Sequence, residues 1–210
     1  MQQKIKRKVI DPSQLKNKEM KKILLTWAMM ALTMTVSAAN DVKETTVWTF
    51  DECPSGMKIA DVRDIKGLYV RAKQGHEAVI APSKVKGNLS DGTRYNVKTG
   101  LKLMSNKGFQ VSPNTRVDNP AESGTDRCVG IKTSTAGKLY LVVRTKTNDA
   151  TRNITLYFNG EVAKQLNAQK VAESSDNLAV IEYDAPKGGA FFLGGSAEII
   201  LCYAKFAPAQ

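Results

Sequence analysis

The chain has one histidine, His76, and three cysteines among its 210 residues. A single imidazole excludes a zinc centre built on several histidines, and it leaves Ser-His-Asp chemistry only if His76 is the base. No G-x-S-x-G occurs. The odd cysteine count permits at most one disulfide within the chain. Cys53, Cys128 and Cys202 lie 75 and 74 residues apart, which excludes a local zinc motif. Cys202 sits in an apolar stretch and reads as a buried core thiol. No later segment approaches the ~20 apolar residues of a membrane helix. Clusters of cationic residues are also missing, which argues against nucleic acid as a partner.

What is present near the start is an export signal. Lys21-Lys22 leads into an apolar run from Ile23 to Val36, and the small residues Val36-Ser37-Ala38-Ala39 follow. That order is a basic n-region, an h-region too short to span a bilayer, and an A-x-A-like cleavage site. Cleavage is expected after Ala38 or Ala39. Met20-Lys21-Lys22 itself resembles a translation start, so residues 1–38 are read as leader and signal peptide. Residues 39–45 are read as a short tether and 46–208 as one domain. No cysteine stands directly after the cut site, which argues against a bacterial lipid anchor. The product is expected in the periplasm or outside the cell.

Removal of the signal corrects the charge. Residues 1–38 hold eight of the 31 basic and two of the 20 acidic residues, so the remainder carries 23 and 18 and a net charge of +5 rather than +11. That mild positive bias suits an anionic partner such as an acidic polysaccharide.

The remainder reads as all-β. Strands are expected at Thr46–Phe50, Gly67–Ala72, Glu77–Ala81, Arg94–Lys98, Leu101–Met104, Val129–Thr133, Lys138–Lys146, Asn153–Phe158, Leu178–Tyr183, Phe191–Leu193 and Glu198–Phe206. Asp91-Gly92 and Asn159-Gly160 are hairpin signals. Leu139, Leu141 and Val143 share one face, as do Ile154, Leu156 and Phe158. Ser105–Asp126 is Asn-, Ser-, Pro- and Gly-rich and reads as loop, with Phe109 and Val111 in a short strand. The one helical candidate, Val162–Glu173, is equally well a strand and a loop. The last strand is apolar on both faces at its start, which places it centrally. Short strands at regular spacing with glycine-rich turns give an antiparallel β-sandwich.

The order of motifs carries a resemblance. Trp48–Asp51 (W-T-F-D), Gly67–Ala72 (G-L-Y-V-R-A), Ser90–Tyr95 (S-D-G-T-R-Y), Gly100–Leu103 (G-L-K-L), and the closing Gly194–Phe206 resemble the non-catalytic sandwich domains of secreted pectate-lyase-associated proteins of Bacteroidetes. Those domains are similar to jelly-roll carbohydrate-binding modules. The resemblance implies a jelly-roll fold and polysaccharide capture, and it brings no catalytic signature. No β-helix pattern is read within the 210 residues, so the resemblance is expected to extend to the sandwich alone.

Sugar recognition uses aromatic faces against pyranose rings and planar polar groups for hydroxyls. Arg grips a uronate carboxylate with two parallel bonds. Tyr69 and Arg71 share a face of one strand, His76 follows in the next turn, and Tyr95 is expected nearby across a hairpin. The competing reading is a solvated sheet face. A second candidate is the loop rim of Asn148, Asp149, Arg152 and Asn153, with Asp126 and Arg127 in another loop; ordinary turn closure competes there. Trp48, beside Phe50, reads as core. Asp118, Glu122 and Asp126 are acidic residues near loops, but their spacing does not match a calcium-binding EF-hand loop, and no cofactor is expected. The expected function is glycan binding without cleavage. The enzyme alternative is a small polysaccharide lyase, with Arg71 neutralising the uronate and Tyr69 or His76 as base. The third alternative is a structural or adhesin-like subunit.

Overall fold

The computed structural model describes residues 42–118 and 124–210. The export segment and Glu122 lie outside them. The described residues form thirteen strands: β1 (Thr46–Trp48), β2 (Lys58–Ile59), β3 (Asp61–Ile65), β4 (Leu68–Ala72), β5 (Ala78–Asn88), β6 (Arg94–Leu103), β7 (Cys128–Thr133), β8 (Gly137–Arg144), β9 (Asn153–Phe158), β10 (Glu161–Asn167), β11 (Leu178–Ala185), β12 (Gly189–Gly195) and β13 (Ile199–Pro208). They form two sheets. One has the order β11-β8-β13-β6-β5-β2 with β1 also on β13, and the other has the order β10-β9-β12-β7-β4-β3. The pairs between named strands are antiparallel. The fold is an all-β sandwich. No helix among the described residues is long and apolar enough to cross a membrane.

Alternation along the strands builds three apolar layers. Between the sheets, Trp48, Phe50, Leu139, Leu141, Val143, Ile154, Leu156, Phe158, Phe191 and Phe206 share one core. Phe191 packs against Phe158, Tyr183 and Phe206. The outer face of each sheet is covered as well. Val85, Tyr95, Val97, Tyr140, Val142, Cys202 and Tyr203 form a cluster behind the seven-stranded sheet. Tyr69, Phe109, Val111, Val117, Cys128 and Phe192 form another behind the six-stranded sheet.

Several strands run further than expected. β5 continues from Ala81 through Pro82 to Asn88 because the β5–β6 register shifts between Pro82 and Val85. A bulge is where a strand tolerates proline. The two halves of β6 are one strand through Thr99-Gly100. Phe109 and Val111 are buried but lie in irregular backbone, not a strand. The 162–173 stretch resolves into β10 and a one-turn helix, α1 (Ala168–Ala172), whose N-cap Asn167 accepts from Lys170 N. β13 is central, flanked by β8 on one side and by β6 and β1 on the other. The three cysteines are free thiols, with Cys128 and Cys202 buried. Cys202 is a core thiol, but in the outer cluster, with Ser83 Oγ 3.2 Å from its sulfur.

Candidate functional site

The structure places the sequence-derived candidates in four separate regions. Tyr69 and Arg71 do share a face of β4, but that face is neither solvated nor open. They are 3% and 1% exposed. The 105–118 segment lies across them, and two glycines let it come close. A Cβ at Gly130 would sit 2.9 Å from Val117 Cβ, and one at Gly194 would sit 2.8 Å from the Phe109 ring. Arg71 Nη1 donates to Arg116 O at 2.5 Å. Tyr95 is on the other sheet and 6% exposed, so it does not join Tyr69. It stacks with Tyr203 at 5.6 Å between ring centroids. His76 is exposed in the β4–β5 turn, where its N–H donates to Lys73 O at 2.8 Å.

The loop rim is closed by its own bonds. Asp149 Oδ1 accepts from Thr151 N at 2.9 Å and Thr151 Oγ1 at 2.7 Å. Asp149 Oδ2 accepts from Arg152 Nε at 3.3 Å, and Arg152 Nη1 donates to Ser196 O at 2.7 Å. The Thr151 hydroxyl and N–H hold the Asp149 carboxyl below its ordinary range. Arg152 thus ties the β8–β9 turn to the β12–β13 connection. Of the loop acids, Asp118 is paired with Arg116 at 2.9 Å, and Asp126 Oδ1 accepts from Asn106 Nδ2 at 3.0 Å. No metal-binding group of acids, His and Cys occurs among the described residues.

No aromatic side chain among the described residues is exposed. Tyr157 and Tyr183 are half-buried, the former edge-on to Phe109 and the latter against Phe158. Among the described residues no Trp, Tyr or Phe presents a fully exposed ring to a sugar. Trp48 is core, and its Nε1–H donates to Lys66 O at 3.0 Å.

The surface that stands out is one the sequence reading passed over, the outward face of the β5–β6 hairpin. Proximally, Leu101 to Leu103 pair with Leu201 to Ile199 of β13. Distally, β6 leaves β13, and β1 pairs with Ala204 to Phe206 instead. Asp51 Oδ1 receives the N–H groups of Lys98 and Thr99, both at 2.8 Å, together with Thr99 Oγ1. Burial raises the Asp51 carboxyl, but these donors outweigh it and the net shift is downward. The free half of the hairpin then crosses the back of the sheet. Its inward residues Val85, Tyr95 and Val97 bury on Tyr140, Val142 and Tyr203. Its tip is fastened: Lys205 Nζ contacts Asp91 Oδ2 at 2.6 Å and Thr93 Oγ1 at 2.8 Å. Ser90 Oγ donates to Glu182 at 2.6 Å, and Glu182 is paired with Lys138 at 3.0 Å.

Because side chains alternate along a strand, burying one face exposes the other. The exposed set is Lys84, Lys86 and Asn88 on β5 with Arg94, Asn96 and Lys98 on β6. The register sets Lys86 opposite Asn96 and Asn88 opposite Arg94, while Lys84 and Lys98 flank the Val85–Val97 pair on the same side. Each of the two outer rungs carries one cation and one amide. Neither strand contains an acidic residue. Asp51 lies close to Lys98, and Asp91 and Glu182 stand at the hairpin tip. Like charges crowded on one sheet face oppose folding slightly, and the same crowding concentrates positive potential on a fixed ribbon. The sequence signal is the alternation K-V-K-G-N against R-Y-N-V-K, which an expected strand of Glu77–Ala81 leaves out.

No family model matches the chain, and no curated protein sequence matches it. Among solved structures, the chain is similar to a xylan-binding domain of Paenibacillus barcinonensis, at 10% identity and a TM-score of 0.42, with 82% of this chain and 99% of that one covered. A protein from work on glycan recognition by the Ruminococcus flavefaciens cellulosome matches at 13% identity and 0.40, covering 81% and 99%. Tandem carbohydrate-binding modules of a family 98 glycoside hydrolase from Streptococcus pneumoniae match at 10% and 0.41, covering 80% of this chain and 49% of that one.

Proposed function

We propose that this chain is an exported, non-catalytic carbohydrate-binding protein that holds an acidic polysaccharide along the β5–β6 ribbon. The observation that carries this reading is the fixed alternation of cations and amides on one exposed face, free of acids in either strand. Lys84, Lys86, Arg94 and Lys98 would meet carboxylate or sulfate groups, and Asn88 and Asn96 would meet hydroxyls. A ribbon latched at its tip loses little freedom on binding, which favours affinity. Export rests on the Lys21–Ala39 segment. The likeness of Trp48–Phe206 to domains of secreted pectate-lyase-associated proteins favours a uronate polymer as the ligand. The lyase alternative needs Arg71 together with Tyr69 or His76 as base; Arg71 and Tyr69 are buried whereas His76 is exposed in the β4–β5 turn, so no such pair stands open together.

Alternating lysines also stop a free ribbon from pairing with another chain. That role needs exposure but no ligand, so binding measurements separate the two. Isothermal titration against pectic, host-type and storage glycans should show binding to the uronate polymers that weakens as salt is raised. Replacing Lys84, Lys86, Arg94 and Lys98 together by Gln should abolish it. Silence across the panel, or equal binding to duplex DNA, would overturn the reading.

A further inference from the structure

Arg71 is not used by the ribbon, which belongs to the other sheet, and its surroundings are unusual for a cation. The side chain is 1% exposed. Its guanidinium carbon lies 5.7 Å from the centroid of the Phe192 ring, and Nη1 is spent on Arg116 O. Nε and Nη2 have no hydrogen-bond partner among the described residues. These are the two nitrogens whose N–H bonds run parallel along one edge of the guanidinium, the fork that fits carboxylate, sulfate or phosphate oxygens in pairs.

An arginine keeps its charge when buried, so burial without an anion is costly. The ring beneath satisfies the flat face of the group but not its edge. Among the described residues the acids of the neighbouring loops are committed elsewhere: Asp118 accepts from Arg116 Nε and Nη2 at 3.1 and 2.9 Å, and Asp126 accepts from Asn106. The neighbouring Cys128 gives its S–H to Thr125 O at 3.1 Å, and burial pushes that thiol up to about 12, so it stays neutral and supplies no anion. If only apolar cover were needed at this position, an uncharged side chain of similar size would serve without the desolvation cost. The one hydrogen bond of Arg71 among the described residues, to Arg116 O, uses one nitrogen of three.

We propose that the Nε/Nη2 edge of Arg71, beneath the 105–118 segment, is a buried binding site for a single oxyanion. A free carboxylate or sulfate ion and a uronate group on a glycan present the same pair of oxygens to that fork. The site is independent of the ribbon and stands whether or not the ribbon binds glycan.

The test follows the Arg71 Nε–H resonance in ¹³C,¹⁵N-labelled protein, assigned through bonds from the Arg71 backbone. Sodium acetate, sodium sulfate and an oligogalacturonide are titrated separately. A saturable shift with acetate or sulfate marks a site for a free anion. A shift with the oligogalacturonide alone marks a glycan-borne carboxylate. In either case the matching ligand should raise the melting temperature of the wild type more than that of Arg71→Lys, which keeps the charge but lacks the fork. If Arg71→Lys does not fold, the wild-type resonance still decides. No shift with any of the three, or a coupling that places a carboxylate of the chain itself on the fork, overturns the proposal.

Discussion

Lys205 Nζ lies 2.6 Å from Asp91 Oδ2, joining the tip of the β5–β6 hairpin to the last strand of the chain. The two residues are 114 apart in sequence, so the contact closes a long excursion of the backbone. It fixes where the cationic ribbon stands relative to the sheet behind it.

The Lys205 ammonium, with the N–H of Thr93, holds the Asp91 carboxyl well below its ordinary range. A carboxyl depressed in the folded state adds stability above its unfolded value of about 4, and that contribution is lost as pH falls. Asp91→Asn should therefore cost about 1 kcal/mol near neutrality, and the gap from wild type should shrink steadily below about pH 4. Urea midpoints at neutral and acid pH check this. An equal gap at both would show that the charge on Asp91 is not what matters.

Most of the sandwich was legible because its strands obey local alternation: Leu139, Leu141 and Val143 face the core as their spacing requires. Strand ends were less legible. Pro82 and Gly87 look like terminators, yet β5 runs through both. Pro82 stands at the register shift, and Gly87 leaves room for the Tyr95 ring to lie across it. The site was the least legible part. Tyr69 and Arg71 alternate as surface residues do, and nothing local reveals that a distant loop returns to cover them. That cover depends on Phe109 and Val117 meeting Gly194 and Gly130, which are long-range pairings.

The ribbon charges should separate stability from binding. Lys86→Glu removes a cation from a pair of strands that hold no acid, so its effect on stability should stay within about 0.5 kcal/mol, or be favourable. Its affinity for a uronate polymer at low salt should fall about tenfold or more. Lys164→Glu, an exposed change on β10 at the edge of the other sheet, should alter affinity less than about twofold. Titration calorimetry at two salt concentrations reads both. Equal losses in the two variants would mean that only net charge is sensed.

The fit of Phe109 over Gly194 should appear as coupling. A methyl at position 194 would meet ring atoms at 2.8 to 3.0 Å, so Gly194→Ala should destabilise by about 1–3 kcal/mol. Phe109→Ala alone opens a cavity and costs about 3 kcal/mol or more. In the double variant the methyl has room, so the combined loss should be clearly smaller than the sum. Strict additivity in denaturant unfolding would show that the loop does not rest on that glycine.

The thiols should not pair, even in an oxidising compartment. Cys128 belongs to the cluster behind one sheet and Cys202 to the cluster behind the other. Packed sheets stand about 10 Å apart, and a disulfide needs Cα atoms within about 7 Å. Cys53 is half-buried beside the central core, in the turn after Phe50, away from both outer clusters. Burial raises all three thiols, taking Cys128 to about 12, which lowers the reactive thiolate fraction. Cys53 alone has solvent access, so native protein should titrate one equivalent of Ellman's reagent, slowly, and denatured protein three. Fewer than three in denaturant would reveal a bridge, and more than one in the native state would show that an outer cluster opens. Either result would contradict the closed, three-layered packing on which the fixed position of the ribbon depends.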